Sequence, residues 1–334
     1  MSTATDKTGG RGNCPTRQRN SVEAAIPPSG TLAPSPNPLS PSRAVCPLCP
    51  HACTLAEGRF GVCGAHVARD GDVVADSYGK LTALALDPIE KKPLARFRPG
   101  SMILSVGSYG CNLACPFCQN SDIARARGGN GSDGSDTANG NHHASALRFH
   151  TYTPPELVET ALSLKNRGNI GVAYTYNEPL INYEFVSDTA QLAHEAGLLN
   201  VIVTNGYINE GPLAALLPHL DAANIDLKGF TQTFYDRLNA PGGLATAKRS
   251  IELAARAIHV EVTTLIIPGL NDSANEIERL AAWLADVNPQ IPLHLTRFHP
   301  AYRMLNVPPT SRETIHTLIR VASQHLQTVL PGNM

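Results

Sequence analysis

The chain has 334 residues, of which 42% are hydrophobic, 5% aromatic and 16% charged, and 27 Lys and Arg against 28 Asp and Glu leave a formal charge of −1. So apolar a composition excludes a wholly disordered chain, and so even a charge balance excludes an obvious nucleic-acid binder, which needs a basic excess to displace counterions. No uninterrupted apolar stretch reaches the roughly 18–20 residues of a membrane span, and the length is that of about two domain units or one large α/β barrel.

Residues 1–42 are polar and rich in proline and serine, with Pro27, Pro28, Pro34, Pro36, Pro38 and Pro41 in one stretch. Proline fixes φ and removes donors, so this segment is expected to be a disordered tail in which Cys14 is an incidental exposed thiol. Residues 1–19 lack the apolar centre of a secretion signal, so a cytoplasmic location is expected. In that setting clustered cysteines read as metal ligands before disulfides. A cysteine-rich module follows over 43–70, then a connector over 71–100.

From 101 to 300 apolar runs and helical patterns alternate. Strands are expected over 102–106, 170–175, 199–203, 223–227, 259–266 and 292–296. Between them Leu213, Leu216, Leu217 and Leu220, and again Ile277, Leu280, Ala281 and Leu284, follow the i, i+3, i+4, i+7 spacing of a helix. Ile315, Leu318, Ile319, Ala322 and Leu326 repeat it in a C-terminal helical segment over 301–334. Six strands alternating with helices imply right-handed βαβ crossovers and a parallel α/β sheet, as a barrel, a partial barrel or an open doubly wound sheet. Residues 128–145 contain no large apolar side chain and cannot offset their ordering entropy, so a disordered insertion is expected there, with His142 and His143 solvated.

The chemistry concentrates in Gly110-Cys-Asn-Leu-Ala-Cys-Pro-Phe-Cys-Gln-Asn120, directly after the first strand. Thiolates are soft ligands suited to iron–sulfur clusters or zinc. A closed [4Fe–4S] cluster takes four, so Cys111, Cys115 and Cys118 would leave one iron open for an exogenous ligand. A zinc site with a distant fourth ligand is the alternative. This spacing resembles the signature of radical SAM enzymes, and Cys-Pro-Phe-Cys-Gln-Asn is similar to the group around the pyruvate formate-lyase activating enzyme. Four further motifs resemble the branch called AmmeMemoRadiSam system radical SAM enzymes: Cys46-Pro-Leu-Cys-Pro-His-Ala-Cys53, Gly58-Arg-Phe-Gly-Val-Cys63, Asp87-Pro-Ile-Glu-Lys-Lys-Pro-Leu94 and Tyr174-Thr-Tyr-Asn-Glu-Pro179.

The resemblance spans about residues 45 to 300 and implies a partial (βα)6 TIM-like barrel with a small N-terminal cysteine-rich module. It also implies an enzyme with a [4Fe–4S] cluster that binds S-adenosylmethionine. One electron, from a donor such as flavodoxin or ferredoxin, cleaves the sulfonium. The resulting 5′-deoxyadenosyl radical takes hydrogen from a protein or small-molecule substrate. AmmeMemo-type proteins are the partners implied, with neither nucleic acid nor membrane. A non-catalytic metal-stabilised scaffold of such a system is the rival reading.

Position supports a single site. In parallel α/β folds ligands bind at the carboxyl ends of strands, and Glu178, Thr204-Asn205, Asp226 and Lys228, and His299 each end one of the expected strands. By the resemblance, Phe117 packs near the adenine and Glu178 receives the methionyl amino group, although Tyr176-Asn177 replace the family's two glycines. Thr204 and Asn205 match Asp-Thr-Asn-Gly except that Val203 replaces the Asp, which removes a cation ligand. Lys228 would pair with the ligand carboxylate, Asp226 would accept from ribose hydroxyls, and His299 would touch ribose or substrate. For Glu178 a helix N-terminal charge is the alternative, for Asp226 and Lys228 a structural ion pair. In the N-terminal module, Cys46, Cys49, Cys53 and Cys63 supply four thiolates, enough to close a zinc site or a second cluster, with His51 and His66 as alternative ligands.

Overall fold

The computed structural model describes residues 43–128 and 147–334. The expected tail over 1–42 with Cys14, and the insertion beyond Gly128 with His142 and His143, lie outside the described residues. Eight strands form the main sheet: β1 (Ala83–Pro88), β2 (Met102–Gly107), β3 (Asn169–Tyr174), β4 (Leu199–Thr204), β5 (Ala222–Asp226), β6 (His259–Ile266), β7 (Leu293–Arg297) and β8 (Val329–Gly332). Each pairs with the next in sequence, and every pair is parallel except β1 with β2. Strand order therefore equals chain order, as right-handed crossovers stepping around a barrel require.

The expected parallel strands β2 to β7 all form, because β-branched and apolar runs buried on both faces fit a sheet covered by helices. The two edge strands differ from expectation. β1 falls within the segment expected as a connector: its apolar run, Ala83 to Leu86, ends in Asp87-Pro88 and is only half-buried, with Leu84 exposed. β8 closes the expected C-terminal helical segment. Its Pro331 and Gly332 are tolerated at a sheet edge, where a missing N–H interrupts no second ladder. Helices cover the outer face, among them α1 (Pro154–Ser163), α2 (Tyr183–Glu195), α3 (Glu210–Leu216), α4 (Gly243–Ala255), α5 (Ala274–Val287) and α6 (Arg312–Ala322). The pattern Leu213 to Leu220 is not one helix. Pro218 lacks the donor that α3 needs to continue, and the chain tightens into a 3-10 turn over Leu217–His219.

Two apolar cores result. The larger lies between sheet and helices. The smaller lies inside the barrel, where Ile89 and Leu94 pack on Ile103, Ala173, Val201 and Ala222. Residues 89–97, within the Asp-Pro-Ile-Glu-Lys-Lys-Pro-Leu motif and just beyond it, thus plug the barrel floor. The plug is bolted down by polar groups. The fully buried Glu261 accepts from the Ala95 and Arg96 amides at 3.0 and 2.7 Å, and its oxygens also lie 3.0 and 2.6 Å from His259 and His294. Asn224 donates to the Pro93 carbonyl at 2.8 Å.

The cysteine-rich module consists of two small hairpins, Ala44–Val45 with Thr54–Leu55 and His66–Arg69 with Asp72–Ala75. It packs on the barrel mouth. The Cys111 amide donates to the Cys63 carbonyl at 3.1 Å, the His51 ring meets the Asn112 carbonyl at 2.8 Å, and the Asn209 amide donates to the Leu48 carbonyl at 3.0 Å.

Candidate active site

The loop after β2 carries Cys111, Cys115 and Cys118, all partly exposed. Gly110 starts the turn with φ +84°, a conformation glycine adopts without Cβ strain, and a Cβ there would overlap the Cys63 carbonyl. Neighbouring segments pin the loop. The Ala114 amide donates to the Leu238 carbonyl at 2.8 Å, Pro116 accepts from the Arg303 amide at 2.9 Å, and Asn120 donates to the Tyr176 carbonyl at 2.7 Å. Phe117 is buried with its ring 6.2 Å from that of Phe234.

Burial pushes the Cys111 thiol well above its ordinary value, with the Glu178 carboxylate adding to the effect. Burial also pushes Cys115 up to about 11, against the pull of the Lys228 ammonium. As lone thiols both hold their protons near neutrality, and a soft cation is what would draw them off. Among the described residues no three His, Cys, Asp or Glu side chains converge tightly enough to hold an ion as they stand. The fit to an iron–sulfur cluster therefore rests on the donor set, three soft sulfurs on one eight-residue loop at the end of a parallel strand.

Around this loop the strand ends meet. Glu178, at the end of β3, caps the 3-10 turn Pro179–Asn182 and accepts from the Leu180 amide at 3.0 Å. It also accepts from the Thr204 hydroxyl at 2.6 Å and the Asn205 amide at 2.7 Å, tying β3 to β4. Asn205 in turn points its side-chain amide at the Cys111 sulfur, 3.7 Å away, and donates to Asn112 at 2.9 Å. At the end of β5, Lys228 and Asp226 pair at 2.6 Å. Burial works against the Lys228 charge, but Asp226 and then Cys115 outweigh it and hold the ammonium well above the usual lysine range. Asn271 fixes the Lys228 carbonyl at 2.9 Å, and Tyr235 accepts from its amide at 3.1 Å.

Glu178, Thr204, Asn205, Asp226, Lys228 and Phe117 thus gather about the cysteine loop. His299 does not join their hydrogen-bond network. Its exposed ring meets the Asn333 carbonyl at 3.3 Å beside β8. The structure also brings in residues to which the sequence assigned no role. Asn112 links the loop to the module, and Asn177 accepts from the Ser108 amide at 2.9 Å and donates to the Gly110 carbonyl at 3.1 Å. Tyr176 stands at φ +73°, a left-handed conformation favoured by glycine, at a position where the resemblance expects glycine. Its hydroxyl donates to Asp87 at 2.8 Å and its ring lies under the Lys92 ammonium, 4.7 Å away. The backbone outlier could not be read from sequence, but the glycine-to-tyrosine departure marks the position.

Burial pushes the Glu178 carboxyl from 4.5 up to about 7, although three donors favour its charge. An acid raised on folding binds more protons folded than unfolded, so stability falls as pH climbs from about 4.5 to about 7, by roughly 3 kcal/mol at most. We expect denaturant titrations of cluster-free protein to show this decline, and Glu178→Gln to flatten it. A variant profile parallel to that of the wild type would contradict the assignment.

The profile of the radical SAM superfamily matches residues 105–284. An uncharacterized protein of Methanocaldococcus jannaschii is 37% identical over 300 residues, covering 89% of this chain and 83% of its own. The pyruvate formate-lyase-activating enzyme of Clostridium pasteurianum is 26% identical over 198 residues, covering 57% of this chain and 72% of its own. A radical SAM methyltransferase from Sphaerobacter thermophilus shares the fold at a TM-score of 0.50 with 18% identity, over 70% of this chain and 67% of that one. Among the described residues no helix is long and apolar enough to cross a membrane.

Proposed function

Because this chain belongs to the radical SAM superfamily, we propose that it is an enzyme of the activating-enzyme kind, within the AmmeMemoRadiSam branch, with Cys111, Cys115 and Cys118 as its cluster thiolates. The observation that carries the reading is convergence: the three sulfurs, the Asn205 amide 3.7 Å from Cys111, and the Lys228 ammonium paired with Asp226 share one barrel mouth. When bound, the cluster and S-adenosylmethionine supply a one-electron cleavage and a carbon radical that removes hydrogen from the substrate.

The protein's part is to hold and orient. Lys228, with donors beyond the one given to Asp226, receives the ligand carboxylate. Asp226, partly exposed, accepts from ribose hydroxyls. Glu178 first fixes the ends of β3 and β4. Its Oε1 already accepts from Leu180 and Thr204, but its Oε2 accepts only from the Asn205 amide and keeps one lone pair for the amino group. Phe117 lines the adenine side. Val203, in place of an acidic residue, leaves no carboxylate for a cation. His299, exposed and outside this network, would meet the substrate rather than the cofactor, at the cost of its bond to the Asn333 carbonyl. Flavodoxin or ferredoxin supplies the electron, AmmeMemo-type proteins are partners, and Cys46, Cys49, Cys53 and Cys63 hold a second metal.

The test is anaerobic incubation of reduced, reconstituted protein with S-adenosylmethionine. The expected product is 5′-deoxyadenosine, and deuterated candidate substrates identify the hydrogen donor by the label it acquires. A full cluster with reductant and no cleavage refutes the reading.

A further inference from the structure

We propose that Cys46, Cys49, Cys53 and Cys63 bind one zinc ion whose function is to seat the loop that carries Cys111, and that His66 is the positioning residue of this site. The seating role rests on the radical SAM reading; the zinc site does not. Cys46 and Cys49 follow the first strand of the module, Cys53 precedes the second, and Cys63 lies just before the strand His66–Arg69. The Cys46 amide donates to the Cys53 carbonyl at 3.0 Å and the Ala52 amide to the Cys49 carbonyl at 3.0 Å, so the first three cysteines share one tight turn. A single point, where a Cβ on Gly61 would stand, lies 3.5 Å from the Cys53 sulfur and 3.8 Å from the Cys63 sulfur. The fourth segment therefore folds back onto the turn. The Cys53 and Cys63 sulfurs thus face one point without ligating contact, and an ion would draw the four sulfurs inward.

The His66 ring carries a second, independent sign of a metal. It is 2% exposed, its Nδ1 faces the Cys63 sulfur at 4.0 Å, and its Nε2 lies 3.4 Å from the Glu184 carboxylate on α2. A carboxylate orients metal-ligating histidines in the same way, and here the Glu184 carboxylate turns the non-ligating His66 ring so that its other nitrogen faces a donor sulfur. Four thiolates around one divalent ion carry excess negative charge, and a His66 ring that donates from Nδ1 to Cys63 and from Nε2 to Glu184 is an imidazolium whose charge offsets it. The hairpins of the module have few large apolar side chains, and a metal staple replaces the core they lack. A closed four-sulfur set, unlike the three-sulfur loop, offers no open corner for a substrate, as befits a structural zinc.

The seating follows from backbone contacts. The Cys63 carbonyl receives the Cys111 amide at 3.1 Å, His51 meets the Asn112 carbonyl at 2.8 Å, and Asn112 holds the Tyr207 carbonyl at 2.7 Å. Both cysteine sets are thus joined through one residue pair, Cys63 and Cys111. Loss of the ion would free the strand end on which Cys111 hangs.

The full chain bearing Cys111→Ser, Cys115→Ser and Cys118→Ser, purified with zinc and iron supplied, is the deciding sample. We expect one zinc per chain and no iron by elemental analysis. Cobalt in place of zinc should show sulfur-to-metal charge-transfer bands of a four-thiolate site. His66→Gln should keep the stoichiometry but release zinc to a chelator about tenfold more readily or worse. In the wild-type chain, chelation of zinc should lower cluster reconstitution on the Cys111 loop, and zinc return should restore it. Iron with sulfide in the triple variant, or no metal at all, overturns the zinc site. Unchanged reconstitution after zinc removal overturns the seating role. A zinc-replete protein that builds no cluster at Cys111 counts against the enzyme reading alone, since the triple variant has already judged the zinc site.

Discussion

Cys115→Ala is expected to abolish 5′-deoxyadenosine formation, to the level of a protein-free control, and to remove most of the visible absorption of the reconstituted protein. The sulfur feels the Lys228 ammonium, which offsets part of the burial that still leaves its thiol raised to about 11. Without it two sulfurs remain on the loop, too few to hold a cubane with a single open corner. The fold should survive. The neighbouring Ala114 amide keeps its bond to the Leu238 carbonyl, so the cluster-free variant should melt within a few degrees of the cluster-free wild type. Retained cleavage in the alanine variant would remove the sulfur from the site.

Glu261→Ala is expected to be the most damaging single change outside the mouth. It orphans the amides of Ala95 and Arg96 and leaves His259 and His294 without their acceptor. Removing one partner from such a buried charged network costs about 3–5 kcal/mol. The floor plug is then held mainly by Ile89 and Leu94. Glu261→Gln, which keeps the shape, should cost less. The pH dependence has the opposite sign to that of Glu178. Burial would raise the Glu261 carboxyl, but the bonds from His259, His294 and the Arg96 amide hold it down at about 2. Its stabilisation is present above about 4.5 and lost as pH falls toward 2. Unfolding free energies of wild type and variant from urea titrations should therefore differ by several kcal/mol at pH 7 and converge in acid. Equal midpoints at pH 7 would contradict the bolted floor.

Much of the mouth was legible because strand periodicity is local. Buried runs gave β2 to β7 with boundaries near those observed, and polar residues ending each run gave Glu178, Asn205, Asp226 and Lys228 as neighbours. His299 shows the limit of that logic. It ends its strand as expected, yet the added edge strand β8 brings Asn333 beside it, and the ring spends its bond there.

The sequence by itself determined what needs no partner at long range: the parallel α/β alternation, the three-sulfur loop, and the four-sulfur module, all set by residue type and spacing over a few positions. Only the tertiary structure decided which distant groups meet. The floor plug pairs Ala95 and Arg96 with Glu261, across 166 and 165 positions, and Cys63 lays its carbonyl on the Cys111 amide. Such contacts leave no periodic trace, because a backbone amide or carbonyl is the same whatever side chain it carries. Which of them finds a buried carboxylate is settled by the path of the whole chain.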